Sequence, residues 1–408
     1  MDTRPLRILH VIHSLDPRSG GPSHALRSMI HEQVRVGHEV SVLATTAQSA
    51  EPWEPSKDYA DRMTADPAFA GAEVHLGRSF GRRRPWSRYA FSPDCSRWLR
   101  RRLCERSHRP DVVHIHGIFS HVTSVAAKAA RSEGIAYVLR LAGTLDAECL
   151  DMGSRCLKAA FTQVILRRDL QRAAYLQAMS EFEARHLCPW GSREQIRVVP
   201  HGIDFPECER TETSKALRSR HPNLAGRRVL LFMSRVAPKK RPELVVEALT
   251  LLHSDHSDLL FLVAGQDAGQ MAVLQKCVRN HALEDSVVFA GFLQGDEKRE
   301  AFDVADVFVL PSIDENFSVA VVEAMAHGVP VVVTPGVATH VYVDQSGGGL
   351  TVDGTAEALA AGIRRVLSGD PKAMGRRGRQ FVERHLTWPA VVKQLDRLYE
   401  DALASRAR

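Results

Sequence analysis

Two glutamates eight positions apart, Glu315 and Glu323, stand in the run PSIDENFSVAVVEAMAHGVPVVVTP. The run reads as strand end, acidic loop, helix start and buried strand. DVFVLPS, from Asp306 to Ser312, is an apolar strand closing on Pro311-Ser312. Ser318 is placed to cap a helix through Val319 to Ala326, Gly328 and Pro330 stop it, and Val331 to Val333 begin the next strand. Asn316, Phe317, Ser318 and Val319 bring their amides to the helix start, where the macrodipole is positive, so phosphate or sugar oxygens can be held there. Glu315 falls just before that start and Glu323 about two turns in, on roughly the same face as Ser318 and Val319. Taken alone, such a pair also describes a solvated helix acid and a dipole-favoured loop acid.

A second constellation lies upstream. The apolar strand VLLFMS, Val229 to Ser234, runs into RVAPKKRPELVVEAL, which places Arg235 at the carboxyl end of the strand. Ligands bind at that edge in open parallel sheets, and Arg235 with Lys240 sets two cations where a diphosphate can lie and its leaving charge be neutralised. Lys239 is the alternative register. Gly265 in AGQDAGQ and Gly291 in FAGFLQ mark two further strand ends where backbone groups can approach a nucleotide base closely.

The elements that position these groups alternate as apolar strand and amphipathic helix, the pattern of parallel sheets covered on both faces. A first set of strands is expected near Ile8 to Ile12, Glu39 to Thr45, Asp111 to Gly117, Tyr137 to Leu141, Tyr175 to Ser180 and Ile196 to Pro200. A helix from Ser23 to Val36, capped by Ser23 and stopped by Gly37, follows the first of them. A second set is expected at Val229 to Ser234, Leu259 to Gly265, Val287 to Gly291, Asp306 to Ser312 and Pro330 to Pro335. The charged stretch from Glu207 to Arg227 is the candidate linker, and Thr387 to Ala404 reads as a last helix. The expected fold class is α/β, two Rossmann-like domains with parallel sheets facing a central cleft: residues 1–205, residues 206–386, and a helix in 387–408.

In the first half, Gly20-Gly21 permits a tight turn before the helix, and Gly21 is where a phosphate or sugar can approach. DVVHIHGIFSHV places His114 and His116 on one side of a strand; His114 suits a core position, whereas His116, at the strand's carboxyl end, suits hydrogen bonding to a substrate. No third ligand with convincing spacing accompanies the pair and no Asp-x-Asp triplet occurs, so no metal site is expected. YVLRLAGTLD adds Arg140, Gly143, Thr144 and Asp146 near another strand end, with Arg140 or Asp146 as acceptor-side candidates.

Length and composition fit two sizeable cores: 408 residues, 44% apolar and 25% charged. Seven cysteines, an odd number without a Cys-x-x-Cys pair, suggest neither a zinc ribbon nor a disulfide framework and fit a reducing cytosol. The start, MDTRPLRILHVIHSL, is too weakly apolar for a signal peptide, and no window approaches about 20 apolar residues. Arginines crowd the segment from Arg78 to Arg106 with Trp86, Tyr89, Phe91 and Trp98, against a net charge of only +6. Such a segment can lie on an anionic membrane surface or be a solvated helix face; no nucleic-acid-binding motif accompanies it, so nucleic acid is not an expected partner.

The acidic run resembles the Glu, seven residues, Glu signature of glycosyltransferase family 4, retaining enzymes of the GT-B fold. The resemblance implies that Glu315 contacts the transferred sugar, that Glu323 binds the ribose, and that Arg235 and Lys240 hold the diphosphate of a nucleoside-diphosphate sugar. It places Gly265 and Gly291 near the base, Gly21 in a loop near the donor phosphates and acceptor, and His116 at the strand-end histidine that reaches toward the donor sugar. The acceptor implied is a saccharide, lipid-linked or a surface-polysaccharide precursor, and the location the cytoplasm, with peripheral contact on the inner face of the plasma membrane. No cofactor or metal is implied. Departures from the family pattern are Phe317-Ser318 for Phe-Gly, Arg241 for the Gly after the Lys, Leu141-Ala142-Gly143 for Pro-His-Gly, and VVPHGID for Pro-Asn-Gly-Val-Asp, where a positive φ is expected at His201-Gly202. A nucleotide-sugar epimerase and a silent nucleotide-sugar-binding protein are the alternatives.

Overall fold

A computed structural model describes residues 4–16, 21–47, 61–79, 90–142, 166–206 and 216–405. The described chain divides into two compact units, residues 1–202 with 388–408 and residues 203–387.

The first unit is built on a seven-stranded parallel sheet. Its strands are β1 (Arg7–Ser14), β2 (Glu39–Thr45), β3 (Glu73–Gly77), β4 (Val112–His116), β5 (Ala136–Arg140), β6 (Tyr175–Ala178) and β7 (Ile196–Val198), in the order β3-β2-β1-β4-β5-β6-β7. Strands buried on both faces read as continuous apolar runs, which is why β1, β2 and β4 to β7 are legible from sequence. The edge strand β3, EVHLG, mixes charge with half-buried residues and was not expected.

Alternation along each strand decides what the site is made of. Ile8 and Ile12 join a layer with Leu26, Met29 and Ile30 of the helix Gly21–Arg35, and with Val391, Leu395 and Tyr399 of the last helix, Trp388–Ala404. Leu9 and Val11 face the opposite layer, formed by Cys95, Leu99 and Leu103 of the helix Pro93–Cys104 and by Val122, Ala126 and Ala130 of the helix His121–Ser132. The side-chain period of two therefore turns His10, His114 and His116 toward the first layer. Ser92, Ser120 and Ser180 cap three of this unit's helices, each cap contributing about 1 kcal/mol. Ser23 is no cap: the helix begins at Gly21, and the Ser23 hydroxyl donates to the Ser14 carbonyl at 2.9 Å.

The turn at His201-Gly202 also departs from expectation. Neither residue has positive φ. Glycine is required there for space, since an added Cβ would lie 2.6 Å from the Trp388 ring. The last helix thus docks against a backbone without a side chain in its way.

The second unit carries a six-stranded parallel sheet: β8 (Arg228–Met233), β9 (Leu259–Ala264), β10 (Val287–Gly291), β11 (Ala305–Leu310), β12 (Val331–Val333) and β13 (Gly349–Thr351), in the order β10-β9-β8-β11-β12-β13. The three-residue β13 is too short to announce itself in sequence. Within the candidate linker, residues 207–215 lie outside the described part; the remainder forms a helix at Ala216–Arg220 and a 3-10 turn at Pro222–Leu224. β8 and β11 are neighbours, and their carboxyl ends bring the loops after Met233 and Leu310 side by side.

Candidate active site

In the second unit those two loops are tied together by backbone. The amide of Ile313 and the hydroxyl of Ser312 both donate to the Lys239 carbonyl at 3.0 Å. The amide of Glu315 donates to the Gly336 carbonyl, and the Glu315 carbonyl accepts from Ala338, both at 2.9 Å. Glu315 is therefore held on both sides by the loop that follows β12. A residue whose main chain is fixed this way can present its carboxylate at one place, which a binding or reacting group requires.

Lys240 closes a 3-10 turn at Pro238–Lys240 and is 4% exposed, and its ammonium forms an ion pair with the Glu315 carboxylate. A buried ammonium needs such a partner. The contact sets Lys240 directly against the Glu315 carboxylate. Arg241, which follows, is left-handed at φ 52°, the conformation a glycine adopts most cheaply. Its guanidinium reaches across to the Gly354 carbonyl at 3.0 Å.

Glu323 lies on the helix Val319–Ala326 and accepts a hydrogen bond from the Lys298 ammonium at 2.6 Å. Lys298 belongs to the neighbouring helix, Gly295–Val304, and nothing in GDEKREAF announces it. Ser318 occupies the N-cap position as expected, but its hydroxyl makes no cap hydrogen bond. Phe317 is buried and meets the Tyr342 ring edge-on, while Asn316 and Val319 are half-buried. Arg235, in contrast, is exposed, and its side chain has no hydrogen bond or ion pair among the described residues.

Gly265 and Gly291 belong to the same edge. The Gly265 amide donates to the Gly291 carbonyl at 2.7 Å, and an added Cβ at Gly265 would stand 1.8 Å from the Ser234 carbonyl oxygen. Packing alone thus demands glycine at 265. Gly291 is exposed, with φ 71° and nothing within 4 Å of an added Cβ.

The first unit collects its polar groups at the carboxyl half of β1, β4 and β5. Register pairs His10 with His114 and Ile12 with His116 across β1 and β4, and His116 with Arg140 across β4 and β5. One ring nitrogen each of His10, His114 and His116 falls within 4.8 Å of the other two. This corrects the expectation that the pair on β4 lacks a third histidine: the sheet supplies it from a strand a hundred residues earlier. His10 Nδ1 lies 2.9 Å from His116 Nε2, and His10 Nε2 lies 2.7 Å from Gln33 Oε1. His114 Nδ1 lies 2.7 Å from the Tyr399 hydroxyl, which also accepts from Gln33 Nε2 at 3.3 Å.

Burial dominates the protonation of this group. Desolvation lowers the His10 pKa to about 4, against the opposing pull of its bond to Gln33, and the charge of Arg140 lowers it further. His114 and His116 are pushed well below the usual imidazole range by burial, then by neighbouring histidines (His10 on both, His114 on His116) and by Arg140. Arg140, 2% exposed, has its own pKa lowered to about 10 by desolvation, opposed by Glu183 and Tyr399. Its Nη2 contacts Met179 Sδ at 3.4 Å, and its Nε and Nη1 have no partner among the described residues.

Gly21 opens the helix after β1, with nothing within 4 Å of an added Cβ, so the fold itself leaves room there. Gly20, Gly143, Thr144 and Asp146 lie outside the described residues, as do Trp86 and Tyr89 of the basic segment. Within that segment, Trp98 stacks on His75, and Arg102 pairs with Glu73 at 2.9 Å, so part of its aromatic and basic content is spent inside the unit. Phe91 stays 45% exposed. Among the described residues no helix is long and apolar enough to cross a membrane.

Two family profiles match the chain, "Glycosyl transferase 4-like domain" over residues 20–202 and "Glycosyl transferases group 1" over residues 214–381. A D-inositol 3-phosphate glycosyltransferase of Acidothermus cellulolyticus is 31% identical over 55% of this chain and 52% of its own length. The chain thus spans about half of that relative. A GDP-mannose-dependent alpha-mannosyltransferase of Mycolicibacterium smegmatis is 27% identical over 98% of this chain and 99% of its own. Among solved structures, Anabaena Alr3699/HepE in complex with UDP superposes with a TM-score of 0.73 at 17% identity, covering 97% of this chain and 100% of that one. At that identity the likeness speaks for the fold.

Proposed function

Because the chain belongs to glycosyltransferase family 4 and has the GT-B fold, we propose that it is a retaining transferase moving a hexose-type sugar from a nucleoside-diphosphate sugar to an acceptor. The contact of Lys240 with Glu315 carries the reading. It joins a cation suited to phosphate and an acid suited to sugar hydroxyls, on adjoining loops at the carboxyl edge of one parallel sheet.

In this mechanism Arg235 and Lys240 hold the diphosphate and neutralise the charge that develops as the nucleoside diphosphate leaves. Glu323 takes the ribose and Glu315 the sugar ring, with Asn316, Phe317, Ser318 and Val319 forming the helix start between them and Gly265 and Gly291 lying near the base. The Lys298 ammonium on Glu323 aims that carboxylate before the ribose arrives. His116 and Gly21 serve from the first unit. Departure of the nucleoside diphosphate and attack by the acceptor hydroxyl occur on one face, so the anomeric configuration is retained. The leaving phosphate accepts the acceptor's proton, and the scheme uses neither a protein base nor a metal.

The acceptor is a saccharide, lipid-linked or a surface-polysaccharide precursor, reached in the cytoplasm with the basic segment around Arg78 to Arg106 against an anionic membrane. The relatives differ in the donors and acceptors their names state, from GDP-mannose to D-inositol 3-phosphate. The test is therefore a donor panel of UDP-glucose, UDP-N-acetylglucosamine and GDP-mannose. One member should raise the melting temperature and, with a saccharide acceptor, release nucleoside diphosphate alongside an α-linked product. Release of an altered nucleotide sugar without acceptor would mark an epimerase. Stabilisation without turnover under any acceptor would mark a binding protein.

A further inference from the structure

The polar network of the first unit has a direction, set by the Gln33 amide. Gln177 donates its amide nitrogen to the Val199 carbonyl at 3.1 Å, and a carbonyl can only accept. The Gln177 amide oxygen is therefore left over. It and His114 Nε2 have no hydrogen-bond partner among the described residues, so the direction is set from the other end. His114, fully buried beside the Arg140 guanidinium, has its Nδ1 2.7 Å from the Tyr399 hydroxyl. That hydroxyl accepts from Gln33 Nε2 at 3.3 Å. This orients the Gln33 amide and turns its oxygen to His10, whose Nε2 donates to it. His10 Nδ1 is then a bare lone pair that accepts from His116 Nε2. At the end of the relay His116 is left with an unprotonated Nδ1, buried and without a partner among the described residues.

We propose that Tyr399, Gln33 and His10 form a relay that locks His116 in the Nε2–H tautomer. His116 then offers its ligand only a hydrogen-bond acceptor, selecting a sugar hydroxyl over a phosphate oxygen. The three are positioning residues; the group they orient is His116. The inference rests on the proposed reading only in taking that ligand to be a nucleotide sugar.

The same cluster shows why three histidines need not be a metal centre. Two imidazole nitrogens bound to one zinc at 2.0–2.1 Å in tetrahedral geometry stand roughly 3.3 Å apart. His10 Nδ1 and His116 Nε2 are closer, at 2.9 Å, a distance that fits a proton between them. An added dication would also lie near the buried Arg140 charge, the cation that already depresses all three imidazoles. A neutral imidazole whose only free atom is a lone pair binds a donor well and an anionic oxygen poorly, because two facing lone pairs repel.

The tautomers can be read without any substrate. The full chain is labelled with 15N-histidine, and a long-range proton–nitrogen spectrum is recorded, with His116→Gln identifying the His116 signals. Protonated Nε2 and bare Nδ1 are expected at both His116 and His10; a proton on His116 Nδ1 overturns the proposal. Gln33→Leu removes the acceptor for His10 and should let the second His116 tautomer appear, whereas an unchanged spectrum would show that the relay does not set it. Gln33→Glu retains an oxygen for His10, so His10 and His116 keep their tautomers. Its second oxygen takes the Tyr399 proton, and His114 should be found as Nδ1–H. Finally, the nucleotide sugar selected by the donor panel should move the His116 Nδ1 resonance, and the matching nucleoside diphosphate alone should not; equal shifts from the two would overturn the hydroxyl assignment. The spectrum of the free protein stands or falls independently of any transferase activity.

Discussion

The two sheets equip their carboxyl edges by opposite means. At the edge of the second sheet the groups are charged and already engaged: Lys240 with Glu315, Glu323 with Lys298. At the edge of the first they are imidazoles made neutral by burial and bonded to one another, with Arg140 the charge beside them. The contrast follows from what burial costs. A neutral imidazole taken from water asks only that its hydrogen bonds be replaced, so it can be built into a strand and covered by helices. A buried ammonium asks for a counter-charge, and the fold supplies one in Glu315, which the proposed mechanism also sets against the sugar ring. On the proposed reading the second edge must therefore exchange partners to take a diphosphate, while the first needs only to keep its orientation.

Glu315→Ala is the most severe way to break that contrast. Turnover should fall at least about 100-fold, the order expected when a group that stabilises developing charge is removed. Stability should fall too, by about 1–3 kcal/mol, because Lys240 is left buried beside a vacancy. Coupling the change to Lys240→Met removes the stranded charge: the double variant should recover most of the lost stability and none of the activity. Chemical denaturation of the two variants, with turnover measured alongside, separates the roles. Were the double variant no more stable than Glu315→Ala, the ion pair would be incidental to the fold.

Acid should sharpen the comparison from the other side. The fold keeps His10 neutral down to about pH 4 and His201, also desolvated and near Arg140, down to about 3. The unfolded chain protonates the same imidazoles near pH 6.5. Between those values the unfolded state holds more protons, so stability is complete above about pH 6.5 and declines as the pH falls. Each buried histidine contributes a slope of about 1.4 kcal/mol per pH unit. His114 and His116 add to the loss in the same direction. The second unit's counterpart is the half-buried His221. Hydrogen exchange at pH 5 should therefore show β1 and β4 losing protection before β8 and β11. The reverse order would mean that the histidine network does not limit the first unit.

The same contrast explains what the sequence disclosed. The acidic run is local: Glu315, the helix start at Val319 and Glu323 occupy one stretch, and its strand, loop and helix signals are contiguous, so both the elements and the candidate acids were legible. What lay beyond it was the pairing. Nothing in the order of residues joins Lys298 to Glu323, because that contact depends on how two helices pack. The histidine network is the extreme case, since Gln33 and Tyr399 are 366 positions apart and His10 and His116 are 106 apart. The spacing of His114 and His116 gave the face they share; only strand register could reveal that His10 lies across from them. Ser23 was misread because a serine near a helix start serves as a cap only when the preceding residues are not themselves helical.

Arg241 offers the mildest perturbation of the charged edge, and it weighs two local effects of similar size. Its backbone sits at φ 52°, a conformation that costs a side-chain-bearing residue about 1–2 kcal/mol and glycine little. Its guanidinium also donates to the Gly354 carbonyl, a half-buried bond of about 1 kcal/mol. Arg241→Gly removes both, so stability should change by less than about 1 kcal/mol, in either direction, while the turn that presents Lys240 is preserved. Arg241→Ala keeps the unfavourable φ and loses the bond, and should be the less stable of the two by about 1 kcal/mol. If the glycine variant were instead less stable than the native chain by clearly more than about 1 kcal/mol, tethering to Gly354 rather than relief of the backbone would be what holds the turn of Lys240.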